Sequence, residues 1–149
     1  MGLRAMTAVL VALSVCGPAA AQEVNGTWKV TWAQGIRVER DGSVEVERWG
    51  EATLDLRQQG DSVTGSWTRT IPGEGVARWS VEGTLRDGLL RLAGRDGSGD
   101  SEATRSQVAQ IESLGWEGRL EGDRLAGEMW LVVTDVPRPG ARRPWHAVR

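Results

Sequence analysis

A short phrase recurs in this chain: a glycine-led reversal set between two alternating segments. Gly60-Asp61-Ser62-Val63-Thr64-Gly65-Ser66-Trp67 is nearly the same text as Gly122-Asp123-Arg124-Leu125-Ala126-Gly127-Glu128-Met129-Trp130. Gly83-Thr84-Leu85-Arg86-Asp87-Gly88-Leu89-Leu90 likewise echoes Gly118-Arg119-Leu120-Glu121-Gly122-Asp123-Arg124-Leu125. In the last of these units Leu125, Gly127, Met129, Leu131 and Val133 alternate with mostly polar neighbours. A period of two across a glycine turn specifies a β-hairpin. Gly122-Asp123 fits a two-residue loop in which glycine takes the positive φ at the first central position and the strands keep their twist.

The same grammar extends along the chain. Val24, Gly26, Trp28, Val30 and Trp32 share one face of a strand, with Asn25, Thr27, Lys29 and Thr31 on the other. Such alternation marks a half-buried strand. Asn25-Gly26-Thr27 also fits an N-glycosylation pattern, which its place inside a strand makes a coincidence. Ile36 to Arg40 and Val44 to Trp49 flank Asp41-Gly42-Ser43, a hairpin whose outward Arg37, Glu39, Glu45 and Glu47 suit an exposed pair that must not join other chains. This hairpin is expected to be long and to project from the body. Ala52, Leu54, Leu56 and Gln58 then turn at Gln59-Gly60-Asp61 into Val63, Gly65 and Trp67, and Ile71 to Gly75 breaks the pattern as a loop. Trp79, Val81, Gly83 and Leu85 turn at Asp87-Gly88 and return through Leu90 and Leu92. Gly94 to Asp100 has loop composition, and Val108, Ile111 and Leu114 stand at helical spacing between Asp100 or Ser101 as N-cap and Gly115 as stop. The pattern predicts a short helix over 101–114, with an irregular strand as the rival. Asp135-Val136-Pro137-Arg138-Pro139-Gly140 reads as a rigid polar loop, and the chain closes on a strand with Trp145, Ala147 and Arg149 on one face.

Short antiparallel strands joined by tight turns argue for an all-β fold, a single up-and-down barrel of about eight to ten strands. Closure, with the last strand pairing to the first, is what hides the edges. Glycines inside strands, at Gly26, Gly65, Gly83, Gly118 and Gly127, suggest tight bends or close packing under a Trp.

Residues 1–21 read as a signal peptide: Arg4, an apolar run from Ala5 to Val15, then Ala19-Ala20-Ala21 as a cleavage pattern. The run is too short to span a bilayer. A lipid-modified Cys16 is the alternative, against which the bulk of Val15 counts. The expected product is a periplasmic or extracellular domain over 22–149, of single-domain size and without any cysteine. Without Arg4 its 17 basic residues face 20 acidic ones, so no basic surplus favours nucleic acid or an anionic membrane.

Catalytic text is thin. With no mature Cys and a single histidine, His146, neither a thiol nucleophile nor a multi-histidine metal site can form. The serines lack a nucleophile elbow, and the strand carboxylates Glu45, Glu47 and Asp55 default to solvated faces. Asp96, Asp100 and Glu102 have oxygen-rich spacing suggestive of Ca²⁺, but lack the EF-hand frame. The expectation is no catalytic residue, no metal and no cofactor.

The chain has eight Trp and no Phe or Tyr, so Trp must serve both as bulk core and as any aromatic lining. Gly26-Thr27-Trp28 at the start of the first strand, with Arg149 on the last, resembles the calycin group of lipocalins, fatty-acid-binding proteins and avidins. The resemblance implies that Trp28 plugs the barrel base with Arg149 lying across it, a sensible cation–π pair. Val63-Thr64-Gly65-Ser66-Trp67, Trp116-Glu117-Gly118 and Trp130-Leu131 add a partial likeness to the avidin branch. The chain also resembles small secreted bacterial β domains built on the same grammar, a likeness that implies no activity.

The function expected on this reading is binding of a small, largely apolar molecule in the barrel mouth, lined by Trp32, Trp67, Trp79, Trp116 and Trp130, with Arg or Glu at the rim fixing its orientation. The alternative is a filled barrel that docks a protein or polysaccharide through the 36–49 hairpin or outer Trp residues. Neither reading calls for nucleic acid or membrane insertion, and both leave the oligomeric state open.

Overall fold

The computed structural model of the chain describes residues 22–134 and 141–149. Eight strands run in sequence order and close into one antiparallel barrel: β1 (Gly26–Val38), β2 (Val44–Gln59), β3 (Ser62–Ile71), β4 (Gly75–Arg86), β5 (Leu89–Gly99), β6 (Ile111–Glu121), β7 (Arg124–Val133) and β8 (Arg143–Val148). One helix, α1 (Glu102–Ala109), lies between β5 and β6. Closure is made by β8 on β1, with Val30 opposite Ala147 and Trp32 opposite Trp145. An eight-stranded closed antiparallel barrel with one short helix is consistent with a calycin-like fold. The segment expected as a signal peptide (1–21) and the loop expected at 135–140 lie outside the described residues. No helix among the described residues is long and apolar enough to cross a membrane.

The two barrel ends are built from different text. At one end, the base, all three turns are two-residue loops: Gly60-Asp61, Asp87-Gly88 and Gly122-Asp123. Gly60 and Gly122 take φ +60 at the first loop position, whereas Asp87 (φ 51) and Gly88 (φ 74) are both left-handed, the requirement of a type I′ loop. Each turn is stitched to the strand that follows its hairpin. Leu85 N–H donates to Asp61 O, Leu120 N–H to Gly88 O, and Arg149 N–H to Asp123 O. At the other end, the mouth, the described connections are longer: the β1–β2 loop, Pro72-Gly73-Glu74 and the α1 segment.

The strand glycines have two roles. A Cβ on Gly65, Gly83 or Gly127 would sit 1.8, 1.7 or 1.9 Å from a backbone carbonyl oxygen of the neighbouring strand. These are sites where only hydrogen lets the backbones approach as the sheet curls. Others make room for indoles: Gly97 under Trp79, Gly115 under Trp130 and Gly118 under Trp145.

Three local expectations change. The first strand and the first hairpin are continuous: β1 runs through a bulge near Gly35 to Val38 and pairs with β2 as far as Val44. From Ala33 onward β1 pairs only with β2 among the described residues, so this hairpin projects past its neighbours. Residues 94–99, of loop composition, belong to β5, because Gly94 pairs with Val81 and Leu114, and Ser98 and Gly99 pair with Arg78 and Ala77. The helix starts as expected, with Ser101 and Thr104 exchanging side-chain and backbone hydrogen bonds in a capping box, but it ends at Ala109 rather than Leu114. Ile111 and Leu114 pair instead with Val133 and Leu131 of β7. Sheet pairing, with β7 for both residues and with β5 as well for Leu114, outweighs a helical spacing of three apolar residues.

Candidate functional site: the barrel mouth

Alternation places one face of every strand in a common core. Trp28, Trp32, Trp67, Trp79, Trp116 and Trp145 are all buried there, with Leu54, Leu56, Leu90, Leu92 and Met129 among them. Trp67 lies at the centre of the indoles, edge-on to Trp32 at 6.2 Å and tilted against Trp116 at 4.9 Å. Burying an indole removes roughly 200 Å² from water, worth on the order of 5 kcal/mol before other terms. That exceeds the about 1–3 kcal/mol cost of an unmade hydrogen bond. A tryptophan can therefore stay in the core even where its N–H finds no acceptor.

At the base every donor of this kind is used. Trp28 Nε1 donates to Val24 O at 2.9 Å, and Arg149 stacks on the Trp28 ring with its guanidinium carbon 4.6 Å from the centroid. Arg149 also donates to Asn25 O at 3.1 Å and pairs with Asp123. Asn25 Oδ1 in turn accepts from Gln58 N–H, and Gln58 Oε1 from Val24 N–H. The residues leading into β1, the end of β2 and the end of β8 are tied together around one indole.

The mouth is arranged otherwise. Arg69, on the inward face of β3 two residues beyond Trp67, lies over Trp32 with its guanidinium carbon 5.5 Å from the ring centroid. Its Nη2 donates to Gln107 Oε1 of α1 at 3.1 Å. Arg143, two residues before Trp145 on the inward face of β8, donates through Nη1 to Ala33 O and Gln34 O, the carbonyls that follow Trp32 on β1. Burial pushes both guanidinium pKa values below the ordinary arginine range; for Arg69 the Glu74 carboxylate opposes that shift and Arg48 adds to it. Among the described residues, four buried donor atoms have no acceptor: Trp32 Nε1, Trp116 Nε1, Arg69 Nε and Arg143 Nε. Buried polar atoms without partners are uncommon, and here all four are donors.

Of the residues expected to line a ligand, Trp32, Trp67, Trp79 and Trp116 come together in the core, packed as a floor rather than as open walls. Trp130 does not join them. It stands on the outer face of β7, over Gly115 and under Arg142 at 4.8 Å. A small cavity of about 70 Å³ lies between α1 and the sheet, against Trp79, Val108, Ile111 and Leu114. Arg69 and Arg143 were legible only as a charged residue on the apolar face of an alternating strand. Composition gives no hint of them.

Elsewhere, His146 lies on the outer face, edge-on to Trp49 at 6.0 Å, and Trp49 is 49% exposed. Next to this pair, the outward side chains of β1–β3, among them Lys29, Thr31, Glu51, Thr53, Thr68 and Thr70, border a shallow groove of about 520 Å³. Asp100, considered above for Ca²⁺, accepts from Val76 N–H at 2.7 Å, and the described residues hold no cluster of three metal-ligating side chains. No protein-family model matches the chain, and no curated protein does.

Proposed function

We propose that the chain is a calycin-like binding barrel rather than an enzyme, acting in the periplasm or outside the cell. In this reading a small molecule with a largely apolar body binds at the mouth, above the floor made by Trp32, Trp67, Trp79 and Trp116. Arg69 and Arg143 orient it, and Trp28 with Arg149 plugs the base. The observation that carries the reading is the asymmetry of satisfaction. The Trp28 indole and the Arg149 guanidinium have acceptors at the base, while among the described residues Trp32 Nε1, Arg69 Nε and Arg143 Nε toward the mouth, and Trp116 Nε1 in the core, have none. Small-ligand sites combine an apolar surface with a few convergent polar groups, and barrel mouths are a usual place for them. The protein's one histidine is on the outer wall, away from this site.

Native mass spectrometry of the protein, expressed with its own leader and recovered without denaturation, tests the proposal. An added mass that disappears on denaturation is the expected result, and a bare protein mass in every preparation would count against it.

A second reading rests on Trp49, half-exposed beside a hydroxyl-rich groove on the outer wall. Flat aromatic rings edged by hydroxyl and charged groups suit a polysaccharide chain. Trp49→Ser is then expected to abolish retention on insoluble polysaccharide without changing ligand loss or gain at the mouth.

A further inference from the structure

Three shallow grooves, of about 520, 450 and 400 Å³, lie on the outer face of the barrel from β1 to β5. The first is bordered by Thr31, Thr53, Thr68 and Thr70, the second by Thr27, Asp55 and Ser66, and the third by Thr64, Ser80 and Glu82. Strand register makes them neighbours. Lys29, Thr53, Thr68 and Arg78 stand in one row across β1 to β4, and Thr27, Asp55, Ser66 and Ser80 stand in the next. Gly65 lines both the second groove and the third. The grooves therefore form one furrow across the strands. Trp49, two residues before Glu51 on the same face of β2, stands half-exposed at its edge. The stretch of β2 from Trp49 to Arg57 spans roughly 25 Å at the usual rise per strand residue, which suits several sugar rings rather than one.

Hydroxyl groups dominate the lining. A Ser or Thr hydroxyl offers one donor and two acceptor sites, so Thr27, which donates to Asp55, and Thr68, which accepts from Arg78, both keep capacity for a ligand. Sugar hydroxyls have the same dual character, and an indole gives a sugar ring a flat apolar face to rest on. A protein partner is a poorer match, because the buried centre of a protein interface is apolar and depleted of charge. The charges along the furrow cancel: Lys29, Arg57, Arg78 and Arg95 stand against Glu51, Asp55, Glu82 and Asp96, and Arg95 pairs with Glu82 at 2.8 Å. A charged chain would meet as much repulsion as attraction on such a path. We infer that the furrow binds a neutral polysaccharide, several consecutive sugars lying across β1 to β5 with one of them on Trp49. This rests on the outer-wall reading above and names the chemistry and length of its ligand.

Affinity electrophoresis of the intact protein through gels that each contain one soluble polymer is the test, run in moderate salt to screen the protein's net charge. Hydroxyethylcellulose, laminarin and galactomannan are the neutral chains, and polygalacturonate and alginate the charged ones. At least one neutral polymer is expected to retard the protein, with an affinity roughly tenfold or more above either charged chain. In calorimetry, the hexasaccharide of that polymer should bind roughly tenfold or more tighter than its disaccharide, because each further sugar adds hydrogen bonds. Ser66→Arg, which fills the middle of the furrow, and Trp49→Ser should each weaken hexasaccharide binding roughly tenfold. Thermal unfolding checks that each variant is folded, and Ser80→Arg blocks the furrow one strand further on should Ser66→Arg not fold. Equal or tighter binding of a charged chain would overturn the neutral class and leave the outer-wall reading standing. Equal affinity for disaccharide and hexasaccharide, or binding unmoved by the furrow-filling variants, would overturn the furrow and leave Trp49 as an isolated stacking site. Retardation by none of the polymers would overturn both the inference and the outer-wall reading.

Discussion

Two tryptophans of β1, Trp28 and Trp32, each lie under an arginine, and the two pairs are finished differently. At the base, Arg149 covers Trp28 at 4.6 Å, the indole N–H reaches Val24 O, and the guanidinium reaches a carbonyl and a carboxylate. At the mouth, Arg69 covers Trp32 at 5.5 Å, and the indole N–H and the arginine Nε have no acceptor among the described residues. The same pair of side chains is thus fully hydrogen-bonded at one end and, among the described residues, incompletely so at the other. On the proposed reading, a stabilising contact and a recognition contact share residue types. What separates them is whether the chain itself supplies the acceptors.

The sharpest way to break the comparison is to remove the base closure. Trp28→Ala is expected to cost about 3–5 kcal/mol of unfolding free energy in urea, since a fully buried indole and its hydrogen bond are lost together. A loss no larger than that of a surface substitution would mean that the base is not where the barrel is held. Next in size, Gly83→Ala should cost about 1–3 kcal/mol, because its Cβ would meet the Arg91 carbonyl at 1.7 Å and the backbones would have to part. Wild-type stability in that variant would show that the close approach at the glycine triplet is not required for curl.

A finer comparison lies within the core. Trp145 Nε1 donates to Glu117 O at 3.1 Å, whereas Trp116 Nε1 has no acceptor, and both rings are buried. Replacing each by Phe removes similar volume, but only Trp145→Phe also breaks a hydrogen bond. It should therefore be the costlier by about 1 kcal/mol in the same denaturation experiment. The reverse order would imply that the Trp116 N–H is satisfied in solution.

Much of the barrel was legible because its base is repetitive. The Gly-Asp phrases at 60–61 and 122–123 and Asp87-Gly88 fix three turns, and the alternation around them fixes which face is buried. The mouth end was read less well, and for a physical reason: it is built of exceptions. The bulge near Gly35 hides the continuity of β1, and the Gly-Ser composition of 94–99 hides β5 residues whose strand state depends on β4. The apolar spacing of Val108, Ile111 and Leu114 imitates a helix that β7 claims in part for the sheet. The site followed the same division. The buried tryptophans were visible as inward residues, although Trp130 was grouped with them and stands on the outer wall. Arg69 and Arg143 were passed over, because a charge at an inward position becomes informative only when its partners, or their lack, can be seen.

The most direct test of the account replaces the two stacked arginines one at a time by leucine and compares urea unfolding of the ligand-free protein. Arg149→Leu should lose about 1–2 kcal/mol, the worth of a shielded cation–π contact and a hydrogen bond to Asn25 O. Arg69→Leu should leave stability unchanged or raise it by about 1 kcal/mol, since it removes a half-buried charge that the chain does not fully pair. If Arg69→Leu destabilises the ligand-free barrel as much as Arg149→Leu, both arginines are structural, and the mouth is not held open for a ligand.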